Sequence, residues 1–245
     1  KIVSRVDLSY QILGPLEKQK DMGFSALSTN SFSEEEYLAN LEALSHSETQ
    51  MVIDPDEMCK SIKQFHEKVY RAISKKNKSL KWVLYFSEGQ FTGWNVDTGT
   101  TKKLENSSLD YLRSELACEQ NAWLVCVDSA RSRGFDIVLS EKAHMILLLT
   151  QYTTLHDMIQ AIGRLRMLER GQTVSFIVTK LLADRLKDLS LSSIIHYFSE
   201  KYEHDYHLNQ KELKKQRDDT KRKVKINKYG EITVVPEAFF KEYDP

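Results

Sequence analysis

Short, predominantly apolar runs alternate along this chain with longer stretches in which apolar residues recur every three or four positions. The runs at Lys81 to Phe86, Ala122 to Val127, His144 to Leu149 and Thr173 to Val178 are short and bounded by polar residues, so they predict strands buried on both faces. The stretches between them predict helices. Ser33-Glu34-Glu35-Glu36 puts carboxylates at the positive end of a helix dipole, and Tyr37, Leu38, Leu41 and Leu44 follow at helical spacing. The pattern then breaks over Ser45 to Thr49. Asp54-Pro55-Asp56-Glu57 offers a capping aspartate with proline at the first helical position, and Met58, Ile62, Phe65, Val69 and Ile73 mark a core face. Leu109, Leu112 and Leu116 form another stripe. Thr154 with Asp157 three residues on predicts a capped helix start, with Leu155, Met158, Ile159, Ile162 and Leu165 as its apolar face.

Smaller features complete the pattern. Phe91 to Gly99, punctuated by Gly93 and Gly99, predicts a short β ribbon. Leu181 to Leu189 and Ile194 to Tyr202 predict helices, and His207 to Lys225 a charged one. Val224-Lys225-Ile226 and Glu231 to Val235, around Asn227-Lys228-Tyr229-Gly230, predict a terminal hairpin. Alternating strands and helices make the expected class α/β: a mostly parallel sheet with flanking helices, plus C-terminal helices and a small hairpin.

Composition narrows the function classes. The 245 residues suffice for a full core, and 35 basic residues cancel 35 acidic ones, so no global field draws the chain to nucleic acid. Three cysteines with no C-x-x-C pair argue against a disulfide framework and a zinc site and favour an intracellular setting. Cys126 reads as a small buried hydrophobe in a core strand. The pair His204 and His207 reads as surface, and no metal is expected. No apolar run approaches about 18 residues and no signal-like start is visible, so neither a membrane span nor secretion is expected. The chain opens inside sequence that looks structured, which suggests excision from something longer. A phosphate-binding loop needs Gly-Lys followed by Ser or Thr, yet none of the nine glycines precedes a lysine. The only Asp-Glu pair, Asp56-Glu57, sits at an expected helix start.

Two segments carry a more specific signal. Val127 to Ile137 (Val-Asp-Ser-Ala-Arg-Ser-Arg-Gly-Phe-Asp-Ile) and Gln160 to Arg166 (Gln-Ala-Ile-Gly-Arg-Leu-Arg) resemble motifs V and VI of superfamily-two helicases. The second is similar to the Gln-x-x-Gly-Arg-x-Arg form of the innate-immune RNA sensors and Dicer-like helicases. The DEAD-box form puts its last arginine one residue later, where this chain has Met167. Tyr85-Phe86-Ser87 falls where motif IV belongs, and Ser25-Ala26-Leu27-Ser28 resembles a spread motif III.

The resemblance implies a RecA-like second lobe over residues 32–180, preceded by the tail of a first lobe (1–31) and followed by a helical extension with a hairpin (181–245). It implies that Arg164 and Arg166 face the γ-phosphate of ATP and that Gln160 orients the water or an arginine. Gly134, Asp136 and Gly163 would approach the nucleotide, and Ser87, Ser129 and Arg131 the backbone of RNA or DNA. ATP and Mg would bind only with the missing first lobe, which is then the first partner. The nucleotide-facing residues are expected together at the carboxyl ends of the strands, where open α/β sheets bind ligands.

Gly23-Phe24-Ser25, Leu84-Tyr85-Phe86, Ala130 to Asp136, Gln160 to Arg166 and Gly171 to Phe176 together resemble the degenerate helicase segment of a family of very large, uncharacterised intracellular proteins, mostly eukaryotic. Those relatives often carry Asp-Glu-Ala-His where this chain has Asp128-Ser129-Ala130-Arg131, so this loop lacks the Glu and His of a Mg-binding box. That resemblance implies the competing roles: a non-catalytic scaffold or protein-interaction module within a giant protein, or a fragment of a ubiquitin-directed hydrolase.

Overall fold

A computed structural model of the chain describes residues 12–19, 22–61, 64–87, 89–128, 137–226 and 232–234. Its centre is an eight-stranded sheet of β1 (Phe24–Ala26), β2 (Thr49–Asp54), β3 (Trp82–Ser87), β4 (Gln90–Asn95), β5 (Thr101–Lys103), β6 (Trp123–Asp128), β7 (His144–Leu149) and β8 (Thr173–Val178). The spatial order is β1-β8-β7-β2-β6-β3-β4-β5. Every pair from β1 to β3 is parallel, and β3-β4-β5 closes one edge as an antiparallel meander. The α/β class expected from the pattern is the one observed.

Helices among the described residues include α1 (Glu34–Leu44), α2 (Phe65–Ile73), α3 (Leu109–Leu116), α4 (Leu155–Ile162) and α5 (Lys180–Ala183), with α6 (Leu191–Lys223) following. Ser33 caps α1 by accepting from the Glu36 amide, and Thr154 forms a full capping box with Asp157 on α4. One sheet face, made by Val52, Val83, Leu124, Cys126, Ile146, Leu148 and Ile177, packs with Tyr37 and Leu41 of α1 and Val69, Ala72 and Ile73 of α2. The alternate residues Met51, Ile53, Val125, Val127, Met145 and Leu147 are equally buried. Both faces are therefore covered, as a parallel sheet requires.

Four departures from the sequence pattern have physical reasons. β2, between β7 and β6, is the middle of the sheet, yet its apolar core is only Met51-Val52-Ile53 and the helix signal at Asp54 masks it. That helix signal yields only a 3-10 turn at Met58–Ser61, and α2 begins after Gln64, whose φ of 52° breaks any continuous helix. β1, expected as the tail of a preceding lobe, pairs in parallel with β8 of this same sheet. It lies close because Gly23 carries no side chain: a Cβ there would stand 2.8 Å from both Leu44 Cδ2 and Ser175 Oγ. Beyond β8, the two expected helices at Ile194 to Tyr202 and His207 to Lys225 are the single helix α6.

Two compact units result, Lys1–Tyr197 and Phe198–Pro245, so the first reaches past the boundary expected near residue 180. In the second, β9 (Val224–Ile226) and β10 (Ile232–Val234) form the expected antiparallel pair. No helix among the described residues is long and apolar enough to cross a membrane.

The amino ends of the strands hold a buried imidazole. His144, 1 % exposed, shares a 2.8 Å hydrogen bond with Thr173 Oγ1 across the β7–β8 register, and its ring lies 4.1 Å from that of His46. Burial, and then the neighbouring His46, push its pKa down to about 3. An unfolded histidine titrates near ~6.5, so below that pH the unfolded chain binds a proton that the folded chain refuses, and stability falls as pH drops towards 3. His144→Gln is expected to flatten this dependence. Urea unfolding between pH 7 and 5 should show the wild type losing stability faster than the variant, with a limiting difference of about 1.4 kcal/mol per pH unit. Parallel pH profiles would refute the assignment.

Candidate functional site

The segment resembling motif VI begins inside α4, which starts after β7 has reached the carboxyl edge of the sheet and runs back against the strand direction. Eight helical residues span about 12 Å, so the chain returns most of the length of a strand before Gly163 ends the helix. Gln160 is half-buried, and its Oε1 has no hydrogen-bond partner. Arg164 is half-buried and Arg166 exposed, and neither is without a partner in the fold. Gly163 has φ −61°, an ordinary helical value. Its function is space: an added Cβ would stand 3.2 Å from the Ile159 carbonyl oxygen and 3.3 Å from Ile12 Cδ1.

Just past Arg166 the chain is fixed at the amino edge. Gln172, immediately before β8 and 2 % exposed, accepts at Oε1 from the Met167 amide (2.7 Å) and donates from Nε2 to the Ser140 carbonyl (2.8 Å). Its own amide donates to the Met167 carbonyl (3.3 Å), and its carbonyl accepts from Gln19 Nε2 (3.0 Å). Ser140 in turn donates from its amide (3.2 Å) and its hydroxyl (3.0 Å) to Oε1 of Gln50, the second residue of β2. Gln120, just before β6, donates to the Leu139 carbonyl (3.1 Å) and accepts from Arg113 (3.2 Å). Three glutamine side chains thus hold residues 139–140 beneath the sheet.

The resemblance expects the nucleotide-facing residues together at the carboxyl ends of the strands. The backbone after Arg166 sits at the opposite edge, because α4 carries it there. Residues 138–140, which follow the segment resembling motif V, end at that edge too. Gly134 and Asp136, expected near the nucleotide, and Ser129 and Arg131, expected near nucleic acid, lie outside the described residues. Ser87, expected near nucleic acid, is exposed at the carboxyl end of β3, where the chain turns into β4.

The carboxyl edge has its own buried chemistry. Asp54 ends β2 in register with Asp128 of β6 and is 3 % exposed. Its Oδ2 accepts from the Cys59 amide (2.6 Å), while Oδ1 has no partner. Burial raises its pKa, and the bond from the Cys59 amide opposes that shift. Asp56 accepts from the hydroxyls of Thr150 and Thr153 (2.5 Å each), tying the turn after β2 to the turn after β7.

Nothing in this arrangement makes a cysteine nucleophile, which must be a thiolate. Burial pushes the thiol of Cys126 up to about 12 and that of Cys59 well above its usual range. Cys118 is also raised by burial, while its sulfur accepts a 3.2 Å hydrogen bond from Trp123 Nε1. The reading as a ubiquitin-directed hydrolase fragment gains no support from these thiols. Among the described residues, no group of three or more His, Cys, Asp or Glu side chains could hold a metal ion.

Gln50 and Gln120 are candidates that the sequence pattern did not single out, and Gln172 entered it only as part of the Gly171 to Phe176 stretch. A signal was present for two of them: Gln50 and Gln172 each stand at the mouth of an apolar run, where an amide has no reason to be unless a crossing backbone needs it. No protein-family model matches the chain, and no curated protein matches it in sequence.

Thiol titration tests the site chemistry. In the native chain Cys59 and Cys126 are expected to stay silent towards an aromatic disulfide reagent and Cys118 to react slowly, with all three reacting on unfolding. A fast-reacting native thiol would overturn this description.

Proposed function

We propose that the eight-stranded unit is the second lobe of a superfamily-two helicase-like nucleotide hydrolase. It would supply Gln160, Arg164 and Arg166, together with Gly134 and Asp136, to an ATP site that a first lobe completes. The observation that carries this reading is the Gln172 bridge. The segment with the paired arginines and the segment that follows Arg133-Gly134-Phe135-Asp136 are far apart in sequence, yet Gln172 bonds both, through Met167 and Ser140.

The order β6, β7, α4, β8, with β7 and β8 adjacent and parallel, supports the same reading, because it delivers both segments from one sheet. Gly163, which the resemblance assigns to the nucleotide, also lies close to Ile12, since an added Cβ would stand 3.3 Å from Ile12 Cδ1. The chemistry suits guanidinium groups. Charge builds on the transferred phosphoryl oxygens in the transition state, and a planar, permanently charged donor can neutralise it without a proton transfer. This chain has no Gly-Lys pair to hold the phosphates, so the first lobe must bring the phosphate loop and the Mg-binding carboxylates. RNA or DNA would lie towards Ser87, Ser129 and Arg131.

The test is ATP turnover by a protein that joins this lobe to such a first lobe. Arg164→Ala is expected to slow turnover by about 10³–10⁵-fold, the range for an arginine that faces the transferred phosphate. The 245-residue chain alone should show no turnover. Undiminished turnover in both Arg164→Ala and Arg166→Ala would reject the reading and leave the interaction module as the better one.

A further inference from the structure

We infer that Tyr152 and Arg185 form a nucleotide subsite at the carboxyl edge of the sheet, with the Tyr152 ring stacking on a base and the Arg185 guanidinium holding a phosphate of the same single strand. The inference deepens the reading above and rests only on its nucleic-acid side, not on its ATP chemistry. Neither residue belongs to a segment that resembles a helicase motif.

The topology puts Tyr152 where an open sheet makes a crevice. β2 and β7 are adjacent and parallel. From β2 the chain passes through α2 to β3 on one side of the pair, and α2 packs on the face made by Val52, Val83 and Leu124. From β7 it passes through α4 to β8 on the other side. Crossovers between parallel strands are right-handed, so these opposite directions put α4 on the opposite face. The carboxyl ends of β2 and β7 therefore flank the switch point of the sheet, where such sheets take ligands. Asp56 follows one strand there, and Thr150-Gln151-Tyr152-Thr153 follows the other.

A fully bonded turn carries Tyr152. Thr150 and Thr153 are buried, and both hydroxyls donate to Asp56. The Thr150 amide donates to Thr153 Oγ1 (2.9 Å), the Tyr152 amide to Thr150 Oγ1 (2.9 Å) and the Thr153 amide to the Thr150 carbonyl (3.2 Å). Thr154 then caps α4. The backbone on both sides of Tyr152 is thus fixed, yet the residue itself is 69 % exposed. A tyrosine on such a backbone has only its side-chain torsions left to lose, so contact with its ring carries a small entropic cost.

Arg185 supplies the charge. It follows α5, the helix that leaves the carboxyl end of β8, and it is exposed. Its Nη1 donates to the Tyr197 hydroxyl (3.2 Å), which orients the guanidinium. The Tyr197 bond first, and Tyr152 more weakly, raise its pKa, so Tyr152 lies within electrostatic reach of it. An aromatic face beside a cation is the combination by which proteins hold single strands: the ring takes a base and the cation tracks the backbone.

The experiment titrates the chain into fluorescein-labelled oligo(dT), oligo(U) and a blunt duplex, following anisotropy over a range of salt concentrations. Tyr152→Ala is expected to weaken single-strand binding about 5–150-fold, the range for one stacked base, with an unchanged salt slope. Tyr152→Phe should bind like the wild type. Arg185→Gln should flatten the dependence of log Kd on log salt by about 0.7, the share of one phosphate on a single strand. Bases in the duplex are already stacked on one another, so its binding should be indifferent to Tyr152→Ala. Single-strand affinity that survives Tyr152→Ala, or a loss equally large on the duplex, would overturn the inference while the nucleic-acid side of the reading stands. A wild-type chain that binds no oligonucleotide would overturn both and leave the ring to a protein partner. ATP turnover in the two-lobed protein that is indifferent to Arg164→Ala and Arg166→Ala would reject the hydrolase reading and leave strand binding at Tyr152 intact.

Discussion

A peptide that crosses the end of a sheet covered on both faces must have its N–H and C=O groups satisfied by something other than water. In this protein that requirement falls on residues 139–140, and Gln50, Gln120 and Gln172 meet it. Gln50 lies in β2 and Gln172 directly precedes β8, so both are held by the sheet, while Gln120 sits in the short turn before β6. The arrangement converts the regularity of the parallel strands into a fixed path for an irregular segment. It also carries that constraint to Met167, so two loops of different origin share one frame. Leaving one of these polar groups unpaired in the interior would cost about 1–3 kcal/mol, enough to favour this path over close alternatives.

The edge at which the arginine segment sits follows from helix length. A helix that leaves the carboxyl end of β7 and runs antiparallel to it must end near the amino edge. The rule that ligands collect at carboxyl ends describes loops that follow strands directly. It does not apply to residues at the far end of the crossover helix, where Arg164 and Arg166 lie.

Much of the fold was legible because four strands are six residues long and predominantly apolar and their helices carry strong caps, Ser33 and Thr154 among them. β2 was not legible: its apolar core is three residues long, and Asp54-Pro55-Asp56-Glu57 resembles a helix start for reasons of its own. Asp54 there accepts from the Cys59 amide and Asp56 from two threonine hydroxyls, so these carboxylates serve the turn rather than a helix. The arginines were legible as residue types in a spaced pattern. Gln50 and Gln172 showed only as amides at the mouths of apolar runs, because their partners lie 90 and 32 positions away and no local pattern encodes that.

The central place of β2 has a consequence for how the chain comes into being. Its two neighbours, β6 and β7, are made long after it, so during synthesis Met51, Val52 and Ile53 have no strand on either side. At about 5–20 residues per second, roughly 5–20 s separate the end of β2 from the end of β7. Until β6 is made, the middle of the finished sheet is an unpaired apolar segment open to any extended chain, and one of its sides stays open until β7 follows. The nascent protein is therefore most exposed to misassociation through the strand that ends up most protected.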